Sequence, residues 1–318
     1  MAWTSDDLVA AVRRRGQLPD AAADGAMTDL DILALADEEI ALRLVPLVRS
    51  AREDYFVTYE DQSITSGTAL YRIPARAQGA ALRDVTIVDS DGNESSIPRI
   101  SLEEAGQAEQ YGTHTVFVVE GPDVRLIPAP TATTGTLRLR YYRSHPQLIP
   151  VSGAGGVFAN DATSFDVADS TLLVFSAESQ SSIAPFTGIA FDLVYSGPPF
   201  GLLAADVTAT DVSSGGGFFT VTYASTEPST VSPDSALYMT WPGLSPVVSL
   251  PRECWPLLVS AVTSRVLETL GDRDAAQIAF ALYEREAGNV VDLLTPRVEG
   301  ARKRIVDHHS PLRARRRW

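Results

Sequence analysis

The sequence has 318 residues but only one cysteine and no long apolar segment. A lone cysteine, Cys254, excludes an internal disulfide framework and a cysteine-rich zinc site, and we interpret it as a small buried side chain at a helix start. The longest apolar run, at 255–262, is far shorter than the roughly 18 residues that a membrane helix needs. The amino terminus is acidic where a secretory signal is basic, so we expect a soluble protein that is made and kept in a cytoplasm.

Basic residues are missing from one long stretch and concentrated in another. Residues 151–250 contain no lysine or arginine but nine acidic residues, whereas 302–318 contain seven basic residues and one acidic residue. The total formal charge is −14, so removing the +6 of the last segment leaves −20 for the rest of the chain. An acidic body repels DNA and anionic membranes, while a basic segment of this density suits a nucleic acid or an acidic partner surface.

Helical periodicity governs residues 1–55. Thr4 and Thr28 each stand three positions before an aspartate, which is the spacing of a capping box. The first predicts a short helix that stops at Gly16, and the second a longer helix that Pro46 kinks.

Helices return near the carboxyl end. Pro256 suits the first turn of a helix that stops at Gly271, and Asp272 caps a second helix. We expect the resulting hairpin, 246–301, to pack on the helices of 1–55 as a small antiparallel bundle built from both ends of the chain.

Strands occupy the region between the helices. In 56–150, short apolar runs and hairpin turns at 89–93 and 121–123 predict a β-rich segment. In 151–245, clusters of turn residues separate further short strand-like runs. This pattern predicts an inserted all-β domain, a small antiparallel sandwich or barrel. The predicted fold class is therefore α+β, with strands at 85–88, 115–119, 124–127, 137–142, 172–175, 190–195, 206–210, 218–223 and 237–240.

No residue set has the spacing of a catalytic, cofactor or metal site. Asp89, Asp91 and Asn93 begin like a calcium loop, but its twelfth position is Ile100, so a tight hairpin turn is the favoured interpretation. The four histidines have no carboxylate or cysteine at ligand spacing. We therefore predict a protein without enzymatic activity, cofactor or metal ion.

One predicted strand alternates strictly, with Leu137, Leu139 and Tyr141 on one face and Arg138 and Arg140 on the other. Arginines beside an aromatic residue can stack on single-stranded nucleic acid. The favoured interpretation is the polar outer face of an antiparallel sheet that can serve as an intersubunit face. Arg138 and Arg140 are therefore candidate subunit-interface residues.

Several strings at both ends of the chain form a recognisable set: ADEEI at 36–40, LVPLV at 44–48, REDYF at 52–56, YRIP at 71–74, ALRDV at 81–85, RLIPAP at 125–130, WPLL at 255–258 and LGD at 270–272. Together they resemble the head-to-tail adaptor (connector) proteins of tailed bacteriophages. The resemblance covers most of 28–150 and 245–301, and the 151–245 insert looks like a β insertion that some members carry.

The resemblance implies a structural protein of the virion neck, assembled in the host cytoplasm as a homo-oligomeric ring, usually a dodecamer. The ring would lie between the portal protein and a tail or nozzle protein, with the bundle as its wall, and packaged DNA would pass through it without sequence specificity. Leu282 and Tyr283 of the last helix are candidate subunit contacts in that wall. The basic segment 302–318 would dock on the portal through Arg302, Arg304, Pro311, Leu312, Arg313, Arg315, Arg316, Arg317 and Trp318.

Two other functions stay open. The insert without basic residues can be a carbohydrate- or receptor-binding module on the tail side of a virion, which an aromatic platform would favour, although its one tryptophan, Trp241, suits core or hinge packing. A hydrolase whose residues converge only in three dimensions would require a deep pocket with mutually hydrogen-bonded titratable groups.

Overall fold

The computed structural model describes residues 3–19, 27–111, 114–131, 135–151, 158–159, 171–176, 190–195, 201–215, 218–223 and 237–295. Within these residues the protein has the predicted α+β composition. Its α-helices there are α1 (Ser5–Gly16), α2 (Asp29–Glu39), α3 (Val45–Ala51), α4 (Ala105–Tyr111), α5 (Trp255–Thr269) and α6 (Arg273–Leu294). None of the helices in the described ranges is long and apolar enough to cross a membrane.

Both predicted capping boxes are confirmed. The Thr4 hydroxyl accepts a hydrogen bond from the Asp7 amide at 3.2 Å, and the Asp7 carboxylate accepts one from the Thr4 amide at 3.4 Å. Thr28 and Asp31 repeat this exchange at the start of α2. Two otherwise unpaired amides are satisfied at each helix start, which is why these local signals can be read from the sequence alone.

The predicted kink at Pro46 takes the form of a widened turn. A π-helical turn, Ile40–Leu44, joins α2 to α3, and Pro46 lies in the first turn of α3. Proline has no amide hydrogen to donate and its ring crowds the carbonyl four residues earlier, here that of Leu42. The helix therefore continues past the proline through a π turn instead of ending there.

Helices from the two ends of the chain pack on one hydrophobic core. Gly271, with φ of 85°, follows α5, and Asp272 caps α6 by accepting a hydrogen bond from the Ala275 amide at 3.1 Å. Ten of the fifteen residues of α5 are buried, because α1, α2 and α6 all pack against it. The side chains of this core that are almost completely buried include Leu8, Ile32, Leu33, Ile40, Leu44, Leu257 and Leu258.

Two antiparallel sheets follow α3 where the sequence predicts strands, and the bounds of the β segment at 56 and 150 stay predictions. Their strands are β1 (Val57–Ser63), β2 (Leu70–Arg72), β3 (Ala77–Val88), β4 (Glu94–Ser96), β5 (Val116–Glu120), β6 (Asp123–Ile127) and β7 (Thr136–Arg143). One sheet has the order β1-β7-β3-β4 and the other β2-β6-β5. The predicted hairpins are β3–β4 and β5–β6, and both sheets share a core around Val85, Phe117, Leu137 and Leu139.

The sequence analysis missed α4 within this β segment. Ser101 precedes it, and both the amide and the hydroxyl of Ser101 donate to the Glu104 carboxylate at 3.0 and 2.9 Å. The serine and glutamate three positions apart are a capping signal that the β-rich surroundings obscured.

Beyond β7, a short stem leads into a further sheet. The stem consists of β8 (Gln147–Leu148) and β15 (Leu244–Ser245), which pair in parallel. Between them lie β9 (Phe158–Ala159), β10 (Thr171–Ser176), β11 (Ala190–Tyr195), β12 (Gly201–Gly215), β13 (Phe218–Tyr223) and β14 (Leu237–Thr240), which form an antiparallel sheet of order β10-β13-β12-β11-β14-β9.

The five strands predicted in the insert are found at their places, although β12 is three times as long as the run 206–210 that predicted it. It is long because it pairs with β11 near its start and with β13 near its end. Closure of this sheet into a sandwich or barrel, and the domain boundaries at 151 and 245, stay predictions.

Candidate assembly surfaces

The two sheet arginines named from the sequence lie on the outer face of β7 and are paired within the chain. Arg138 contacts Asp61 of β1 at 2.8 Å, and Arg140 contacts Asp84 of β3 at 3.0 Å. Both also contact Glu94 of β4, each at 2.5 Å. Hydrogen bonds from the two arginines hold the pKa of Glu94 below its ordinary value. Two guanidinium groups thus face three carboxylates, which disfavours nucleic acid as the ligand of this face.

A buried ion pair ties the β segment to the inserted sheet. Arg76, which precedes β3, donates to both oxygens of Asp192 on β11, at 2.8 and 2.7 Å. The Asp192 side chain is 1% exposed and also accepts the Gly243 amide at 2.9 Å. A bidentate, buried pair of this kind fixes the relative orientation of the two parts that it joins.

The stem is tied to the helices as well. Ser5 at the start of α1 donates from its hydroxyl to the Ile149 carbonyl at 2.6 Å and from its amide to the Pro246 carbonyl at 2.7 Å. Asp37 of α2 accepts the Leu148 amide with its two oxygens at 3.0 and 3.1 Å. Burial raises the pKa of Asp37 to about 7. The root of the insert therefore rests on the two amino-terminal helices.

A second charged cluster lies inside the bundle. Glu39, at the end of α2, is buried and accepts a hydrogen bond from Arg265 of α5 at 2.8 Å. Its other oxygen lies 3.1 Å from Arg43 of the π-helical turn, without the alignment of a hydrogen bond. The Arg43 guanidinium covers the rings of Phe280 and Tyr283 of α6, at 5.2 and 5.6 Å from their centroids. The cluster joins α2, α5 and α6.

Above this cluster, the surface between α5, α6 and the π-helical turn forms an open groove of about 680 Å³. Its floor includes Phe280, which stacks on Tyr283 with 5.8 Å between ring centroids. Arg273, the first residue of α6, lies on its rim and has no ion pair within the described ranges. The groove therefore combines an apolar floor with two charges that have no ion pair among the described residues, Arg273 at one end and Glu284 at the other.

The candidate contacts of the last helix differ in burial. Tyr283 is 8% exposed and packs in the core of its own chain, where it supports the bundle from within, and Leu282 is half-buried. The exposed apolar side chains of α6 include Ile278, at 66%, which the sequence analysis did not single out. Helical periodicity locates an apolar face but does not show which of its members neighbouring helices of the same chain already cover.

The remaining sequence-based assignments are placed as follows. Cys254 is buried, as predicted, and burial raises the pKa of its thiol to about 12. The 89–93 turn is a tight hairpin turn in which the Asp89 carboxylate accepts the Asp91 and Asn93 amides, each at 2.9 Å. Among the described residues, no group of histidine, cysteine and acidic side chains is arranged to hold a metal ion. The docking segment 302–318 lies outside the described residues.

In the part of the chain that the structure describes, the charged clusters sit where helices, sheets and stem meet, and they join these parts to one another. These contacts hold the described parts of the chain in fixed positions relative to one another. The chain belongs to the SU10 adaptor protein family, whose model matches residues 3–176, more than half of the sequence. No curated protein matches it.

Family membership confirms the resemblance found in the sequence and makes the protein a phage adaptor. A structural adaptor family implies a component of the virion that is not an enzyme and that associates with portal and tail. The match begins ahead of α1 and ends with β10, so it takes in the first helix and the stem strand β8 as well as the β segment.

Proposed function

We propose that the protein is the head-to-tail adaptor of a phage neck, assembled as a ring below the portal and above the tail, with packaged DNA passing through its centre. The observation that carries the proposal is membership of an adaptor family over 3–176. The helical core built from both ends of the chain supports it, because such a core gives each copy a rigid wall segment from which the other parts extend.

The charge distribution fits a channel that does not retain DNA. Without 302–318, the chain carries −20. The two outward arginines of β7 are offset by Asp61, Asp84 and Glu94. A surface with this balance repels the phosphate backbone, so DNA slides past it without sequence-specific contacts.

The basic segment 302–318 docks on the portal in this proposal. Its arginines act as multidentate donors to carboxylates and carbonyls of the portal, and Trp318 fills an apolar pocket as the anchor. The residues assigned to docking are Arg302, Arg304, Pro311, Leu312, Arg313, Arg315, Arg316, Arg317 and Trp318.

The mass of the purified protein, measured by native mass spectrometry with and without its portal, tests the proposal. We expect a monomer alone and a ring of copies on the portal. A chain that lacks 310–318 is the matched control and should fold, stay soluble and leave the portal empty. A full-length chain that remains monomeric in the presence of portal would contradict the function, and undiminished binding by the truncated chain would contradict the docking assignment.

A further inference from the structure

We propose that an apolar stripe on α2 of one copy docks in the groove between α5 and α6 of the next copy. The stripe consists of Leu30, Ala34, Glu38 and Leu42. The inference rests on the proposed ring and names the pair of surfaces that closes it.

The stripe is an unpartnered face of the bundle. Leu30 is 63% exposed and Leu42 is 68% exposed, and Ala34 and Glu38 between them are exposed as well. Leu30, Ala34 and Glu38 follow one another at four-residue intervals and so share one helix face, which the π-helical turn extends to Leu42. Glu38 has no ion pair or hydrogen bond with any described residue, so the stripe presents a free carboxylate flanked by apolar side chains.

The groove has the complementary composition. Phe280 provides its apolar floor, and Arg273 provides a positive charge without an ion pair among the described residues, at the opposite end of the groove from the carboxylate of Glu284. The other cations of the groove are engaged: Arg265 pairs with Glu39 and Glu268, and Arg43 lies over the Phe280 ring. Arg273 is therefore the cation available to the incoming Glu38.

The two surfaces also agree in length. From Leu30 to Leu42 the stripe is about 18 Å long, and along α6 the groove extends about 16 Å from Arg273 to Glu284, at about 1.5 Å of helix rise per residue. A helix laid along the groove can then cover its floor over its whole length.

The stripe and the groove of one chain point in different directions, so a stripe that fills the groove comes from a second copy. Glu39 is turned inward to Arg265, which lines the groove of its own chain, whereas its neighbour Glu38 is turned outward. Adjacent residues of a helix point about 100° apart. Two different surfaces of one chain that meet between copies make a heterologous contact, which is the type that closes a ring.

A charge exchange between the surfaces tests the proposal. In the presence of portal, Glu38→Arg and Arg273→Glu should each lower the yield of rings about tenfold or more, since each places like charges together in a covered contact. The double variant should recover most of the yield. Glu103→Arg, at an exposed glutamate of the β segment, is the matched control and should assemble like the wild type. Circular dichroism and thermal unfolding of each variant show that the fold is retained.

A disulfide trap gives a second test that does not depend on charge. Ala34→Cys and Ala281→Cys in one chain place thiols on the stripe and beside the groove floor, and oxidation of portal-bound rings should produce a ladder of covalent multimers. A variant with only one of the two added cysteines should give no ladder, because the native Cys254 is buried and its raised pKa keeps it unreactive.

The outcomes separate this inference from the function on which it rests. Rings that form normally in both single charge variants, or that give no disulfide ladder, would overturn the docking surfaces and leave the adaptor function intact. A wild-type chain that forms no ring on the portal would contradict the function itself.

Discussion

The outer face of the β1-β7-β3-β4 sheet and the outer face of the helical bundle both carry arginines and carboxylates, but they use them differently. On the sheet, Arg138 and Arg140 are satisfied by carboxylates of their own chain. On the bundle, Glu38 and Arg273 have no partner among the described residues and lie on surfaces that also expose leucine and phenylalanine side chains. The charges of the sheet are therefore paired within the chain, whereas in our proposal a neighbouring subunit pairs the charges of the bundle.

The largest expected change in unfolding free energy comes from a substitution in the core of the helical bundle. Val262→Asp places a carboxylate at a fully buried position of α5, with no partner to offset its desolvation, and should cost upwards of about 4 kcal/mol of unfolding free energy. Leu293→Asp, at an exposed position of α6, is the matched control and should unfold like the wild type in urea. Equal denaturation midpoints for the two variants would show that α5 is not the centre of the bundle.

The next effect concerns charges that are paired and buried. Asp192→Ala leaves Arg76 without its bidentate partner and should destabilise the junction of β segment and insert by about 3–5 kcal/mol. Asp123→Ala removes the partly buried partner of the exposed Arg72 and should cost about 1 kcal/mol or less. Urea unfolding gives the free energies, and limited proteolysis should show faster cleavage in the insert of the first variant alone. Similar losses in both variants would mean that burial does not distinguish the two pairs.

In the helical bundle, Asp37 should make the stability of the chain depend on pH. Burial raises the pKa of Asp37 to about 7 from an ordinary value of 3.8, so the folded chain retains this proton while the unfolded chain loses it. The protonated carboxyl contributes stability that is fully present below about pH 4 and is lost as the pH rises to about 7. Asp37→Asn should therefore gain stability relative to the wild type as the pH rises from 4 to 8.

The measurement for Asp37 is the difference between the two unfolding curves, because His145 acts in the opposite sense. Burial lowers the pKa of His145 to about 4 from an ordinary value of 6.5, so this histidine makes the chain more stable as the pH rises over the same range. Subtracting the variant from the wild type removes that contribution. A difference that does not change with pH would contradict the burial of the Asp37 carboxyl.

Two variants with small effects on stability, one on each face, should differ clearly in assembly. Glu38→Ala should change the unfolding free energy by about 1 kcal/mol or less, since its side chain is exposed, and Arg138→Ala by about 1–2 kcal/mol, since it removes one cation of a charge network. Only Glu38→Ala should reduce ring formation, which sedimentation velocity with portal measures. An assembly defect in Arg138→Ala alone would reverse the roles of the two faces and support the earlier assignment of Arg138 to a subunit interface.

Local signals in the sequence predicted most of the elements. Thr4 and Thr28 mark helix starts through contacts three residues away, and the turn at 89–93 sets a hairpin within the same short range. Contacts between distant segments could not be predicted. Asp37 with Leu148 and Arg76 with Asp192 join residues more than a hundred positions apart, and nothing in either local pattern names its partner.

Surfaces were harder to predict than elements, for a physical reason. The apolar periodicity predicted for α6 includes both Tyr283, which is covered by Arg43 and Phe280 of the same chain, and Leu282, which is only half-buried. Their positions in the helical pattern do not separate them, because burial depends on where α2 and α5 lie. The stripe of α2 was missed for the same reason: its leucines count equally as core or surface until the fold is known.

The most direct measurement is the native mass of the complexes that the wild type, Arg138→Ala and Glu38→Ala form on the portal at one protein concentration. The account predicts that the wild type and Arg138→Ala add the same number of copies to each portal and that Glu38→Ala adds fewer. Equal numbers for all three proteins would contradict the claim that the free charge of the bundle, and not the paired charge of the sheet, joins the subunits.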